Sequence, residues 1–149
     1  MIYVGIIAGI FTLDFFIKRY VDKKYVRKEK HSKLGGLVYV EKYYNDGAAL
    51  NLLEEWPGLL KILQTAFMVA VCSWLYFSVR RNGAAGIGKV GLAFLAGGGL
   101  SNLFDRYIKG HVVDYIGFQF GPKWFQRIIF NVSDFFVFIG GVLVVVGHR

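Results

Sequence analysis

Four apolar runs, residues 2–17, 59–79, 90–104 and 128–147, alternate with polar stretches along the chain. The second and fourth hold about the ~20 residues that cross a hydrocarbon core. The first and third are shorter and need extension at their ends. The pattern predicts helices over about 1–18, 58–80, 88–107 and 128–147. Four spans put both termini on one side, with the loops before the second and fourth spans on the other. Between the first two spans, GGLVYVEKYY (35–44) is rich in Val and Tyr, as strands are. YIGFQF (115–120) has a similar character, so a small sheet on the membrane surface is expected. Small residues recur in the spans: Gly5 and Gly9 as GxxxG, the run Gly97, Gly98 and Gly99, and Gly140 with Gly141. In lipid such residues let helices approach closely.

Composition supports that reading. Hydrophobic residues make up 55% of 149 residues and mean hydropathy is +0.45, as in a polytopic membrane protein. The length predicts one domain. The start, MIYVGIIAGIFTLDFF, lacks a basic leader and a small-residue cleavage site, so it reads as a retained helix. Cys72 is the single cysteine, which excludes a disulfide framework. His31, His111 and His148 lack ligand spacing, so no metal and no cofactor is expected. The net charge is +8, and residues 19–42 carry eight Lys and Arg. A chain this apolar is not expected to bind nucleic acid. The basic stretch is expected at the headgroups, where lysines and arginines meet anionic lipids.

Within this apolar frame two aspartates stand out. Asp134, in FNVSDFF, lies inside the fourth run, where a carboxylate costs about 2.5–3.5 kcal/mol on insertion scales. An intramembrane carboxyl serves either function or helix packing through a neutralising neighbour. Asp114, in GHVVDY, precedes the same run and supplies a second carboxyl. Two carboxyls a few Å apart share one proton. The charged one can take a proton from water while the neutral one polarises a carbonyl. Asn102, Asp105 and Arg106 share one helix face, as do Asn131 with Asp134 and Asp14 with Lys18. All gather toward one membrane boundary. Asn102, Asn131 and Arg106 are candidates to orient the two carboxyls. A small proton-coupled carrier using Asp14 or Asp134 is a rival that needs neither Asp114 nor the 102–106 cluster.

Four motifs in order, LDFFIK, YNDGAALNLL, GGGLSNLFDR and GHVVDY followed by FNVSD, resemble those of the lipoprotein signal peptidases, the signal peptidase II family. The resemblance implies an all-α membrane protein, a four-transmembrane-helix bundle with a small extracytoplasmic β-sheet. It implies an aspartic endopeptidase that removes the signal peptide of diacylglyceryl-modified bacterial prolipoproteins, with Asp114 and Asp134 as the dyad. Asn45, Gly47, Ala48 and Ala49 match the family's element beside the substrate path. Asn102, Asp105, Arg106 and Asn131 match its polar motifs, and Asp14 with Lys18 its first-helix pair. A monomer in the bacterial cytoplasmic membrane is expected, its site toward the extracytoplasmic face. The positive-inside rule opposes that orientation, because residues 19–42 and 106–127 outweigh Arg80, Arg81, Lys89 and Arg149. Leu50, Ser101 and Ser133 depart from the family's usual Phe, Gly and Ala. An inactive lipopeptide-binding relative is the alternative within the family.

Overall fold

The third helix is the axis on which the rest of the chain is assembled. In the computed structural model, which describes residues 1–48, 52–81 and 86–147, α1 (Ile2–Lys24), α2 (Pro57–Arg81) and α4 (Val132–Gly147) all pack on α3 (Ile87–Ile108), α4 most extensively. At 1.5 Å per residue, α2 is about 37 Å long and α3 about 33 Å, enough to span a bilayer. The 16-residue α4 is shorter, about 24 Å. Large apolar side chains cover the outside: Phe16 on α1, Ile62, Phe67 and Phe77 on α2, Phe138 and Val145 on α4. Such a surface suits lipid and would be a severe liability in water. The structure is a multi-pass helical membrane fold.

Close approach of α3 and α4 depends on missing side chains. A Cβ placed on Gly91 would lie 2.7 Å from the Gly140 carbonyl oxygen, and one on Gly98 would lie 2.5 Å from that of Ser133. Gly91 and Gly98 on α3 face Ser133 and Gly140 on α4, with the same seven-residue spacing on both helices. Gly97 receives Ile10 of α1, and Gly99 receives the Met68 side chain of α2. The GxxxG of α1 behaves differently. A Cβ on Gly5 or Gly9 would meet nothing within 4 Å, so among the described residues that motif faces outward and makes no helix contact. Gly141 is likewise open.

A four-stranded antiparallel sheet caps one end, in the order β1 (Lys30–Lys33), β2 (Val38–Asn45), β3 (Val112–Phe118), β4 (Ile129–Phe130). Val113 and Tyr115 pack on Val21 and Ile17 of α1, which fixes the sheet to the bundle. The alternate residues Val112 and Asp114 face a cavity on the other side. A register shift between Val40 and Tyr43 brings Tyr43 opposite Asp114 and Asn45 opposite Val112. Such a bulge re-aims side chains along a strand.

Two predicted helix limits are corrected. The first helix continues past 18 to Lys24, because its charged end has left the apolar layer and keeps good helix formers. The fourth begins at Val132 rather than 128, because Ile129 and Phe130 pair with β3. Asp114 therefore stands on a strand whose start lies before the predicted 115. The basic stretch 19–42 is ordered: it forms the end of α1, β1 and most of β2.

Candidate active site

Asp134 is fixed by the start of its own helix. Asn131 is the N-cap of α4, and its Oδ1 accepts from the Asp134 backbone N–H at 3.0 Å. In return, Asp134 Oδ2 accepts from the Asn131 backbone N–H at 2.9 Å. This reciprocal pair is a capping box built from Asn and Asp. It holds the carboxylate in the first turn, where the helix dipole favours negative charge. The other oxygen, Oδ1, accepts from Asn102 Nδ2 at 2.9 Å.

Asp114 comes to the same place from β3. Its Oδ1 accepts from Asn131 Nδ2 at 2.7 Å and its Oδ2 from Asn45 Nδ2 at 2.8 Å. Asn131 Nδ2 also reaches Asn102 Oδ1 at 3.1 Å, so two amides link the two carboxyls. Asn45 is oriented in turn: its Oδ1 accepts from the Gly47 N–H at 3.0 Å. Arg106 grips the turn that follows, donating to the carbonyls of Asn45 at 3.2 Å and Gly47 at 2.5 Å. Both carboxyls line a cavity of about 310 Å³ together with Asn45, Ala48, Gln64 and Phe138. Val137 and Phe138 also line a larger apolar groove on the lipid side, about 510 Å³, with Leu95 and Val142. The polar cavity thus adjoins an apolar one.

Behind the cavity lies a buried ionic cluster. Lys18 Nζ is 2.6 Å from Asp14 Oδ2, 3.1 Å from Asp105 Oδ2 and 2.7 Å from Asn102 Oδ1. Asp105 Oδ1 pairs with Lys109 at 3.0 Å. Asp14 is fully buried and accepts three hydroxyls: Ser101 at 2.6 Å, Ser133 at 2.7 Å and Tyr115 at 3.3 Å. A buried charge is tolerable only with such partners. Tyr115 OH also accepts from the Val132 N–H at 3.1 Å, tying α4's first turn to α1. The Tyr115 hydroxyl is pushed well above its usual range, first by burial and then by the Asp14 charge.

Charge balance points to one shared proton. The cluster holds four carboxyls, Asp14, Asp105, Asp114 and Asp134, against three cations, Lys18, Arg106 and Lys109. One proton on a carboxyl makes it neutral. Asp114 is where burial argues for that proton: its carboxyl is raised to about 8, first by desolvation and next by the Asp134 charge. The bonds from Asn45 and Asn131 work against that rise without cancelling it.

Asp14, Lys18, Asn45, Gly47, Ala48, Asn102, Asp105, Arg106, Asp114, Asn131 and Asp134 all occur in or around this cluster, whereas Ala49 and Leu50 lie outside the described residues. The sequence reading missed Tyr115 and Gln64, and saw Ser101 and Ser133 only as departures from a family pattern. Both serines serve the same oxygen of Asp14 from separate helices. The sequence showed only that hydroxyls stand where the family pattern has small residues; that both meet at Asp14 is a result of tertiary packing.

A family model described as signal peptidase (SPase) II matches residues 6–148. The chain is 31% identical to the lipoprotein signal peptidase of Chromobacterium violaceum over 93% of its length and 85% of that protein. It is 34% identical to that of Neisseria meningitidis serogroup C over 92% and 82%. For Caldicellulosiruptor bescii the identity is 32% over 96% and 87%. Two solved bacterial membrane enzymes share the fold, with TM-scores of 0.81 and 0.79 at 20% and 23% identity. Each alignment covers 97% of this chain, and 85% and 90% of the other.

Proposed function

The chain belongs to the signal peptidase II family and is a membrane aspartic endopeptidase that processes lipoprotein signal peptides; from that premise we propose that Asp114 and Asp134 are its catalytic pair. The observation that carries the assignment is the two carboxyls, bridged by Asn131 and Asn102, that line one cavity. Asp134, at a helix N-terminus, takes a proton from the attacking water. Asp114 gives its proton to the carbonyl oxygen as the water oxygen bonds to carbon. The tetrahedral diol then collapses. The C–N bond breaks, Asp134 passes its proton to the leaving nitrogen, and Asp114 regains one from a hydroxyl. Among the described residues each oxygen of Asp134 accepts one protein hydrogen bond, which leaves lone-pair capacity for water. Asp14 is instead engaged by Lys18 and three hydroxyls behind the cavity.

The substrate reading is a precursor bearing a diacylglyceryl cysteine, handled by a monomer that is a single integral domain. The apolar groove sharing Val137 and Phe138 with the cavity supports acyl entry from lipid. Burial of the chains would contribute ~0.8 kcal/mol per CH₂. The site faces outward in this reading, against the loop charges. Many of those cations are engaged within the fold: Arg27 lies 4.8 Å over the Tyr44 ring, Lys30 lies 4.6 Å over Tyr39, and Lys42 bonds the Asp22 carbonyl at 2.9 Å. They are part of a folded sheet, not a free loop. Labelling a cysteine at position 28 with an impermeant reagent in intact cells tests orientation; labelling only after lysis would reverse it. Asp114→Asn and Asp134→Asn should each abolish cleavage of lipidated precursor while the protein stays folded. Near-normal turnover by either would remove the dyad assignment.

A further inference from the structure

A second polar cavity lies outside the site, where α1 and α3 leave the apolar layer. It measures about 220 Å³ and is lined by Phe15, Arg19, Asp22, Lys23 and Lys109. Three of its five described lining residues are cationic. Arg19 and Lys23 stand at i and i+4 on α1, where like charges repel, and neither has a carboxylate partner among the described residues. The acid on the rim is already engaged: Asp22 Oδ1 accepts from Tyr44 OH at 2.6 Å and lies 3.7 Å from Lys42. Lys109 is held in place by Asp105 at 3.0 Å. The cavity therefore keeps an unbalanced positive charge.

Its depth is given by what surrounds it. Phe15 packs edge-on to Phe104 and Phe16, with Phe16 exposed on the outer surface. Exposed Tyr20, Tyr107, Trp56 and Trp124 ring the same end of the bundle. Tyr and Trp concentrate at headgroup level in membrane proteins. Cations above an aromatic floor at that level match the phosphate and upper acyl chain of one lipid.

We propose that Arg19, Lys23 and Lys109 form a binding site for the phosphate of an anionic phospholipid, whose acyl chains run down over Phe15 and Phe16. The site rests on the membrane placement of the chain and is separate from the dyad. Bound lipid relieves the repulsion along α1 and braces α1 against α3, on the face where Lys18 reaches Asp105.

Titrating the full-length protein, purified in neutral detergent, with phosphatidylglycerol under native mass spectrometry tests this. Phosphatidylcholine and inorganic phosphate are the comparison arms. The expected result is one retained phosphatidylglycerol, with weaker retention of phosphatidylcholine and none of phosphate. The double variant R19Q/K23Q should bind it about tenfold more weakly, while K28Q/K30Q, with the same loss of charge away from the cavity, stays within about twofold. Equal weakening in both variants would reduce the effect to general surface charge and overturn the site. Retention of inorganic phosphate as tightly as the lipid would overturn the lipid assignment. If R19Q/K23Q does not fold, K23Q alone carries the comparison. The measurement uses no precursor, so D114N protein should bind the lipid equally, and its outcome stands apart from the dyad assignment.

Discussion

Asn131 is the residue whose replacement separates helix capping from catalysis. In Asn131→Ser the short hydroxyl still caps α4, since Ser and Asn are comparable N-caps. It cannot replace the amide that donates to Asp114 Oδ1 at 2.7 Å and to Asn102 Oδ1 at 3.1 Å. Asp114 is neutral at rest but becomes charged as it gives its proton to the carbonyl oxygen, and a hydrogen bond to a charged partner contributes about 1.5–3 kcal/mol. If the transition state depends on this bond, kcat/KM falls roughly ten- to 150-fold. The stability cost should be smaller, near the ~0.6–1.7 kcal/mol measured for polar contacts between membrane helices. Asn131→Ala should melt lower still, because the cap is lost, at about 1 kcal/mol more. The pH profile gives an independent readout. Asp114 is raised to about 8, and the Asn131 bond is one of three influences that lower it, with the Asn45 bond and the Lys18 charge. Activity should therefore fall as pH rises through about 8 in the parent, and the alkaline limb should move higher in Asn131→Ser. The folded value exceeds the ordinary 3.8, so ionisation of Asp114 should also erode stability as pH climbs from 3.8 to about 8. The assay is kcat/KM for a diacylglyceryl peptide against pH, with melting temperature alongside. A variant with unchanged kcat/KM and an unmoved alkaline limb would refute the assigned role of Asn131.

Lys18→Met should destabilise the protein by about 3–5 kcal/mol, since it strands Asp14 and Asp105 in the interior; a melting temperature near the parent's would contradict the ionic cluster. Gly98→Ala should cost about 1–3 kcal/mol through its collision with the Ser133 carbonyl, whereas Gly5→Ala should be silent; thermal melts of the pair test the packing reading. Cleavage should persist in EDTA and after thiol blocking, because two carboxyls and water suffice and Cys72 lies on α2 away from the cavity residues; EDTA inhibition reversed by a divalent ion would argue against the dyad.

Much of the site was legible because its residues are local in pairs. Asn102 with Arg106, and Asn131 with Asp134, share helix faces by spacing alone. The partners of Asp14 were not legible: Ser101, Tyr115 and Ser133 are 87, 101 and 119 residues away. Only tertiary packing brings them together. The apolar run 128–130 reads equally as strand or helix by hydrophobicity. Here Asn131-x-x-Asp134 carried a second message, the capping-box spacing that starts a helix at 132, hidden behind its chemical one. Gly5 and Gly9 show the converse limit. A small-residue motif tells where a helix can be approached, not from which side.

The seven-residue stagger of small residues locks α3 to α4 backbone against backbone, as two halves of a closed mould. Neither can rotate without driving a carbonyl into its neighbour. By contrast, α2 leans chiefly on α3 and contributes Gln64 to the cavity opposite Val137 and Phe138 of α4. The α3–α4 seam fixes α4 and with it Asp134, whereas Asp114 stands on β3 and is tied to that seam through the amides of Asn131 and Asn102. The spacing of the two carboxyls is therefore set by two amides wedged between strand and helices, so a peptide entering the cavity meets a pair already in place.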